Sequence, residues 1–184
     1  MNLWPGWLVV LAAACGSGTH AGSSPTTSNP AITYPAITYQ AGGSLAHEPN
    51  ATVKRVIDGD TIDAEIDGST VRVRMIGIDT PETKKPNTPI QCYGPEASDF
   101  TKHTLPPGTA ILIVRDVEAR DDYGRLLGYV YRADDGLFVN LELAVDGYAK
   151  PLTIRPNDAH AAEFVDAARA AEAADLGLWG ACTG

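Results

Sequence analysis

Positive charge is scarce in this chain and confined to one part of it. Fourteen Lys and Arg stand against 23 Asp and Glu in 184 residues, the formal net charge is −9, and no Lys or Arg precedes Lys54. Broad affinity for a polyanion comes from Lys and Arg neutralising phosphates, so any nucleic-acid binding here must be local and assisted by a cation. Cysteine is also sparse: there are three, with no Cys-x-x-Cys, which leaves no support for a zinc site or a dithiol redox motif. The histidines, His20, His47, His103 and His160, are scattered without metal-ligand spacing and read as solvated or capping residues. The apolar run Leu8 to Ala14 is too short to cross a bilayer as a helix.

That run ends in Ala-Ala-Ala before Cys15, with Gly16-Ser17-Gly18 following. It reads as an export signal over residues 1–15, and the Cys15 junction is what a bacterial lipoprotein signal offers for cleavage and lipidation. A plain cleaved signal is the alternative, since Ala12 stands where a larger aliphatic is usual. Residues 16–50 are Ser, Thr, Pro and Gly with almost no charge, and they contain the tandem repeat PAITY at Pro30 and Pro35. This is the composition of a disordered, semi-rigid linker, so the chain is expected to be exported, either anchored to a membrane through lipid on Cys15 or secreted.

Residues 51–184 have the makings of one folded domain. Val53–Ile57 and Thr61–Ile66 read as strands, Asp67-Gly68 as a hairpin turn, and Val71–Ile78 as the returning strand, with Val71, Val73 and Met75 on one face and Arg72 and Arg74 on the other. Gly94-Pro95-Glu96 opens a helix that Pro106-Pro107-Gly108 stops. Two more strands, Ala110–Val117 and Leu126–Tyr131, flank Asp121-Asp122-Tyr123-Gly124, and helices follow over Val139–Asp146 and Asn157–Ala174. The expected fold is α+β, mainly β: a five-stranded Greek-key barrel of the OB type with three helices. Glu163, Asp166 and Glu172 read as a solvated helix face, and Trp179 as a packing residue. With Cys15 set aside, Cys92 and Cys182 remain as an even pair in an exported chain, most simply a disulfide and otherwise two buried thiols.

Candidate chemistry gathers at strand ends. Asp60 follows the first strand, Asp79-Thr80-Pro81-Glu82 ends the third, Arg74 lies on the third, and Arg125 closes Asp-Asp-Tyr-Gly-Arg. Two carboxylates and a main-chain carbonyl on adjacent strands can share a hard cation, and calcium tolerates an irregular cage better than magnesium. Guanidiniums grip phosphate oxygens in bidentate fashion. Turns favour Asp and Gly for conformational reasons alone, and Arg–carboxylate pairs also occur as plain ion pairs.

VIDGDTI, RMIGIDTPET, YGPEAS-F, DDYGR and an AK…PN turn occur in that order over about Thr52–Trp179, and with them the chain resembles the staphylococcal nuclease (thermonuclease) family. The resemblance implies an OB-fold enzyme that cleaves DNA and RNA with Ca2+ and leaves 3′-phosphate ends, denatured or single-stranded substrate being favoured and a monomer sufficing. By it, Asp60, Asp79 and the Thr80 carbonyl ligate calcium, Arg74 and Arg125 hold the scissile phosphate, and Glu82 orients or deprotonates the attacking water. Tyr123 is either a substrate contact or a hairpin tyrosine. The chain departs from the family at Asp122, where a lysine is frequent, and at Leu152-Thr153-Ile154-Arg155, where tyrosines are. Both changes touch substrate grip rather than cutting. The rival readings are a non-catalytic nucleic-acid-binding OB module and a calcium-binding surface lipoprotein.

Overall fold

The computed structural model describes residues 47–84 and 89–182. Cys15, the signal, the PAITY repeat and residues 85–88 lie outside the described residues. In chain order the elements are β1 (Ala51–Asp58), β2 (Thr61–Ile66), β3 (Ser69–Met75), β4 (Gly77–Asp79), α1 (Gly94–Thr104), β5 (Ala110–Val114), β6 (Leu126–Arg132), α2 (Val139–Val145), β7 (Lys150–Leu152), α3 (Ala161–Ala173) and α4 (Leu178–Ala181).

Five strands close a barrel in the order β1-β2-β3-β6-β5. The β2–β3 hairpin turns on Asp67 and Gly68, both at positive φ as a type I′ turn requires. Alternation along β2 and β3 buries Ile62, Ala64, Val73 and Met75 in the barrel, where they meet Val53, Ile111 and Val130. Each buried Val, Ile or Met here contributes roughly 1.5–3 kcal/mol, and closure gives every barrel strand a neighbour on both sides. β3 and β6 pair in parallel, with Arg74 opposite Leu127, while the other barrel pairs are antiparallel. Helix α2 packs on β6, and α3 in turn packs on α2 and the β4–β7 sheet, burying Phe164, Ala167 and Ala168.

The expected third strand is in fact two. It breaks at Ile76, whose N–H donates to the Gly128 carbonyl and whose own carbonyl accepts from the buried Asn140 amide at 2.9 Å. Gly77 then turns the chain at φ 85°, and a β-carbon there would collide with the Phe164 ring. The continuation, β4, leaves the barrel and pairs with β7 in a separate two-stranded sheet, Asp79 opposite Lys150. α3 begins at Ala161 rather than Asn157: the buried Asn157 side chain clamps the Glu118 backbone N–H and carbonyl (2.7 and 3.0 Å), and its own N–H closes a turn on the Ile154 carbonyl. The chain also joins the barrel slightly earlier than its composition suggests. The Asn50 side chain exchanges two hydrogen bonds with the Ile113 backbone, and the His47 ring lies edge-on to Tyr131.

Candidate active site

The β-strand registers decide what meets what. Pairing of Thr61 with Arg74 across β2–β3 sets Asp60 beside Arg74, and the Met75 N–H fixes that corner by donating to the Asp60 carbonyl at 2.8 Å. The parallel β3–β6 pairing brings Arg125, just before β6, to the same end of the barrel. The result is an open cleft of about 870 Å3 lined by Asp58, Asp60, Arg74, Asp79, Thr80, Glu82, Tyr123 and Arg125 among others. All the nuclease-type residues expected from the sequence therefore share one cleft. Asp122 is not among its lining residues.

At its centre a single guanidinium spans two carboxylates. Arg74 reaches Asp60 Oδ2 through one terminal nitrogen and Asp79 Oδ1 through the other, each at 3.0 Å, and also donates to the Met75 carbonyl at 2.6 Å. Asp60 is buried, and its Oδ2 accepts from the Thr80 N–H and hydroxyl at 2.9 Å each, while Oδ1 accepts from the Thr61 hydroxyl. Asp79 is 60% exposed and faces the opening. Gly59 is needed here for approach rather than for φ: a β-carbon would lie 2.7 Å from the Thr80 hydroxyl and displace the donor that holds Asp60.

Asp58 is a cleft residue whose part the sequence did not reveal, because an Asp before Gly is ordinary turn chemistry. Burial pushes its carboxyl up, but hydrogen bonds involving Glu82, the Thr83 hydroxyl and N–H, and the Gly59 N–H outweigh that and hold it below the usual carboxylate range. Glu82 is clasped to Gln91 in both directions, its N–H donating to Gln91 Oε1 at 2.8 Å and its carbonyl accepting from the Gln91 N–H at 3.0 Å. Lys84 N–H donates to Glu82 Oε1 at 2.9 Å. The next residue along from Gln91 is Cys92, joined by a disulfide to Cys182 with Cα atoms 5.9 Å apart.

On the far wall Asp121 organises the turn. Its Oδ1 accepts from the N–H groups of Tyr123 and Arg125, and its Oδ2 accepts from Arg125 Nε at 2.6 Å. The Tyr123 side chain is 86% exposed, its ring centre 5.4 Å from the Arg125 guanidinium. It is thus a surface side chain at the rim of the cleft, with no core role.

Further along the barrel wall, the cleft takes in Asp63, Thr70 and Arg72. Asp63 is buried and carries two guanidiniums: Arg72 at 2.8 and 3.2 Å, and Arg55 at 2.8 Å. The Arg72 hydrogen bond, followed by Arg55, holds the Asp63 carboxyl below its ordinary range against the opposing effect of burial. Its stabilisation is therefore complete above the unfolded value near 3.9 and is lost as the pH falls through the lower folded value. Asp63→Asn is expected to cost roughly 1–3 kcal/mol at pH 7, a gap that narrows in melts at about pH 3. A gap that is the same at both pH values would contradict this.

The donor set suits a hard cation. Two carboxylates held on one guanidinium, with the Thr80 carbonyl next in the chain, are all-oxygen ligands, and calcium completes such partial sets with water. Among the described residues no group of three or more His, Cys, Asp and Glu side chains forms a metal cage. A site of two carboxylates, a carbonyl and water is the form this geometry allows.

The family described as Staphylococcal nuclease homologue matches residues 72–181. The chain belongs to the staphylococcal nuclease family. Staphylococcus intermedius Thermonuclease is 46% identical over 127 residues, covering 69% of this chain and 74% of its own. Staphylococcus hyicus Thermonuclease is 43% identical over 139 residues, with 76% and 80% covered. Endonuclease YncB of Bacillus subtilis (strain 168) is 39% identical over 131 residues, covering 71% of this chain and 61% of its own. The staphylococcal nuclease match takes in Arg74, Asp79, Glu82, Tyr123 and Arg125, and the barrel with its helices is the OB fold of that family.

Proposed function

We propose that this chain is an exported, monomeric, calcium-dependent endonuclease that hydrolyses phosphodiester bonds of DNA and RNA with little sequence preference, favouring single-stranded or denatured substrate and leaving 3′-phosphate ends. The observation that carries the reading is the Arg74 bridge between Asp60 and Asp79, with Glu82 and Arg125 lining the same cleft. A bound calcium ion, held by Asp60, Asp79 and the Thr80 carbonyl, would supply positive charge against the phosphate and lower the pKa of nearby water. Arg74 and Arg125 are donors to the equatorial phosphate oxygens, where charge gathers during in-line attack, so they favour the transition state over the ground state. Asp121 fixes the direction of Arg125 through Nε, leaving four of the five guanidinium N–H groups for the phosphate. Glu82 positions the attacking water or takes its proton, and the Gln91 clasp holds its backbone while that happens. Tyr123 at the rim offers an aromatic face to a base, of the kind that stacks without sequence preference. Cys15 carries the proposed lipid anchor, and mass spectrometry of the mature N terminus checks it.

Digestion of denatured DNA by the purified full chain is expected with calcium, far less with magnesium, and not with a chelator. Cutting that survives the chelator would remove the calcium assignment. Substrate retarded on a gel but uncut under every condition would instead support a binding module.

A further inference from the structure

We propose that Arg72, braced with Arg55 on the buried Asp63 carboxylate, is a second phosphate-binding site that holds the polynucleotide strand beyond the bond being cut. The inference rests on the nuclease reading and says where that enzyme keeps hold of its substrate. Arg72 and Arg74 are two residues apart on β3 and so project from the same face, about 7 Å apart. That separation is comparable to the distance between successive phosphates of an extended strand. Both arginines line the same continuous cleft.

The two ends of that track differ in charge. Arg74 faces two carboxylates and is overmatched until a cation joins it. At the Arg72 end the ratio is reversed, with one buried carboxylate serving two guanidiniums. Arg72 uses Nε and one terminal nitrogen on Asp63, leaving three of a guanidinium's five N–H groups for another acceptor. Its side chain is 46% exposed, so a phosphate can reach it with little further desolvation. The neighbouring Lys54 donates to the Thr70 hydroxyl, which also lines the cleft, and pairs with Glu65, so the patch as a whole stays net positive. Asp63 acts as the brace: it orders two long side chains before substrate arrives and removes much of the entropic cost of ordering them on binding. A chain of net charge −9 thereby keeps one pre-formed cationic grip that needs no metal.

The test compares wild type, Arg72→Gln and Arg169→Gln in the full chain. Arg169 is an exposed arginine on α3 that removes the same charge away from the cleft lining. Steady-state cleavage with calcium is followed on a twelve-nucleotide thymidylate and on a thymidine dinucleotide over a range of salt. Fluorescence anisotropy of the labelled twelve-mer is measured alongside. Arg72→Gln is expected to raise KM and Kd for the twelve-mer about fivefold, with kcat nearly unchanged, and to flatten the log–log salt dependence by about 0.7. The dinucleotide, too short to reach both sites, is expected to change less than twofold, and Arg169→Gln to follow wild type. A melting temperature lowered with KM, Kd and salt slope unmoved would reduce Arg72 to a structural ion-pair partner and overturn the proposal. Equal losses on both substrates, or the same loss in Arg169→Gln, would overturn it too. A wild type that binds the twelve-mer but cuts nothing would refute the nuclease reading instead, with the anisotropy comparison still deciding Arg72.

Discussion

Replacing Arg74 by alanine is expected to lower turnover about 10^3- to 10^5-fold while leaving the domain folded. The side chain joins three things at once: the Asp60 carboxylate, the Asp79 carboxylate and the Met75 carbonyl. Its removal takes away the donor proposed for the phosphate and the spacer that bridges the two carboxylates. The fold survives because Asp60 keeps the Thr80 N–H, the Thr80 hydroxyl and the Thr61 hydroxyl as donors, so no buried charge is stranded. Arg74→Lys is expected to recover little, since a single ammonium cannot span two carboxylates and present a planar fork. Single-turnover cleavage, with circular dichroism of each variant, measures both parts. An alanine variant within tenfold of wild type would show that the guanidinium is an ion-pair partner and nothing more.

The second large effect concerns stability. Cys92 and Cys182 are 90 residues apart, and opening a loop of that size is expected to cost about 4 kcal/mol in the chain-entropy description. For a domain of this size that is a fall of roughly 10–15 °C in the thermal midpoint. The Cys92→Ser/Cys182→Ser double variant and the wild type in reductant are expected to melt together, well below the oxidised protein. Agreement of the oxidised and reduced midpoints within a degree or two would refute the estimate. The bond also bears on the cleft, for Cys92 lies between Gln91, which clasps Glu82, and Tyr93, which adopts φ 66° at the start of α1 and stacks on Tyr148. Loss of the cross-link should therefore weaken cutting at temperatures where the variant is still folded.

The parts of this molecule legible from the sequence are those that short-range rules govern. Asp67-Gly68 marks the hairpin, and strict alternation marks β2 over Thr61–Ile66 with the bounds the structure has. The β4–β7 sheet was illegible because each strand is three residues long, β7 contains Pro151, and their pairing depends on contacts some 70 residues distant that no local pattern encodes. Asn157 looked like a helix start, yet its amide is spent on Glu118. In the cleft, residues of distinctive chemistry stood out, whereas Asp58, Asp121 and Gln91 did not, since an acid in a turn or a lone glutamine has many ordinary uses. Arg72 showed in the sequence only as a charge on the outward face of a strand. Its partners Asp63 and Arg55 come from two other strands, and only the barrel brings them together.

The parallel seam between β3 and β6 joins segments that lie about fifty residues apart in the chain. The acids proposed to hold a cation are encoded by residue 80, but Arg125 joins Arg74 in the cleft lining only after 45 further residues have been made and that seam has closed. Contacts so far apart along the chain form late. A nascent, truncated or partly unfolded chain thus carries the acids and one arginine without the other. The cleft lining is therefore complete only once the barrel has closed.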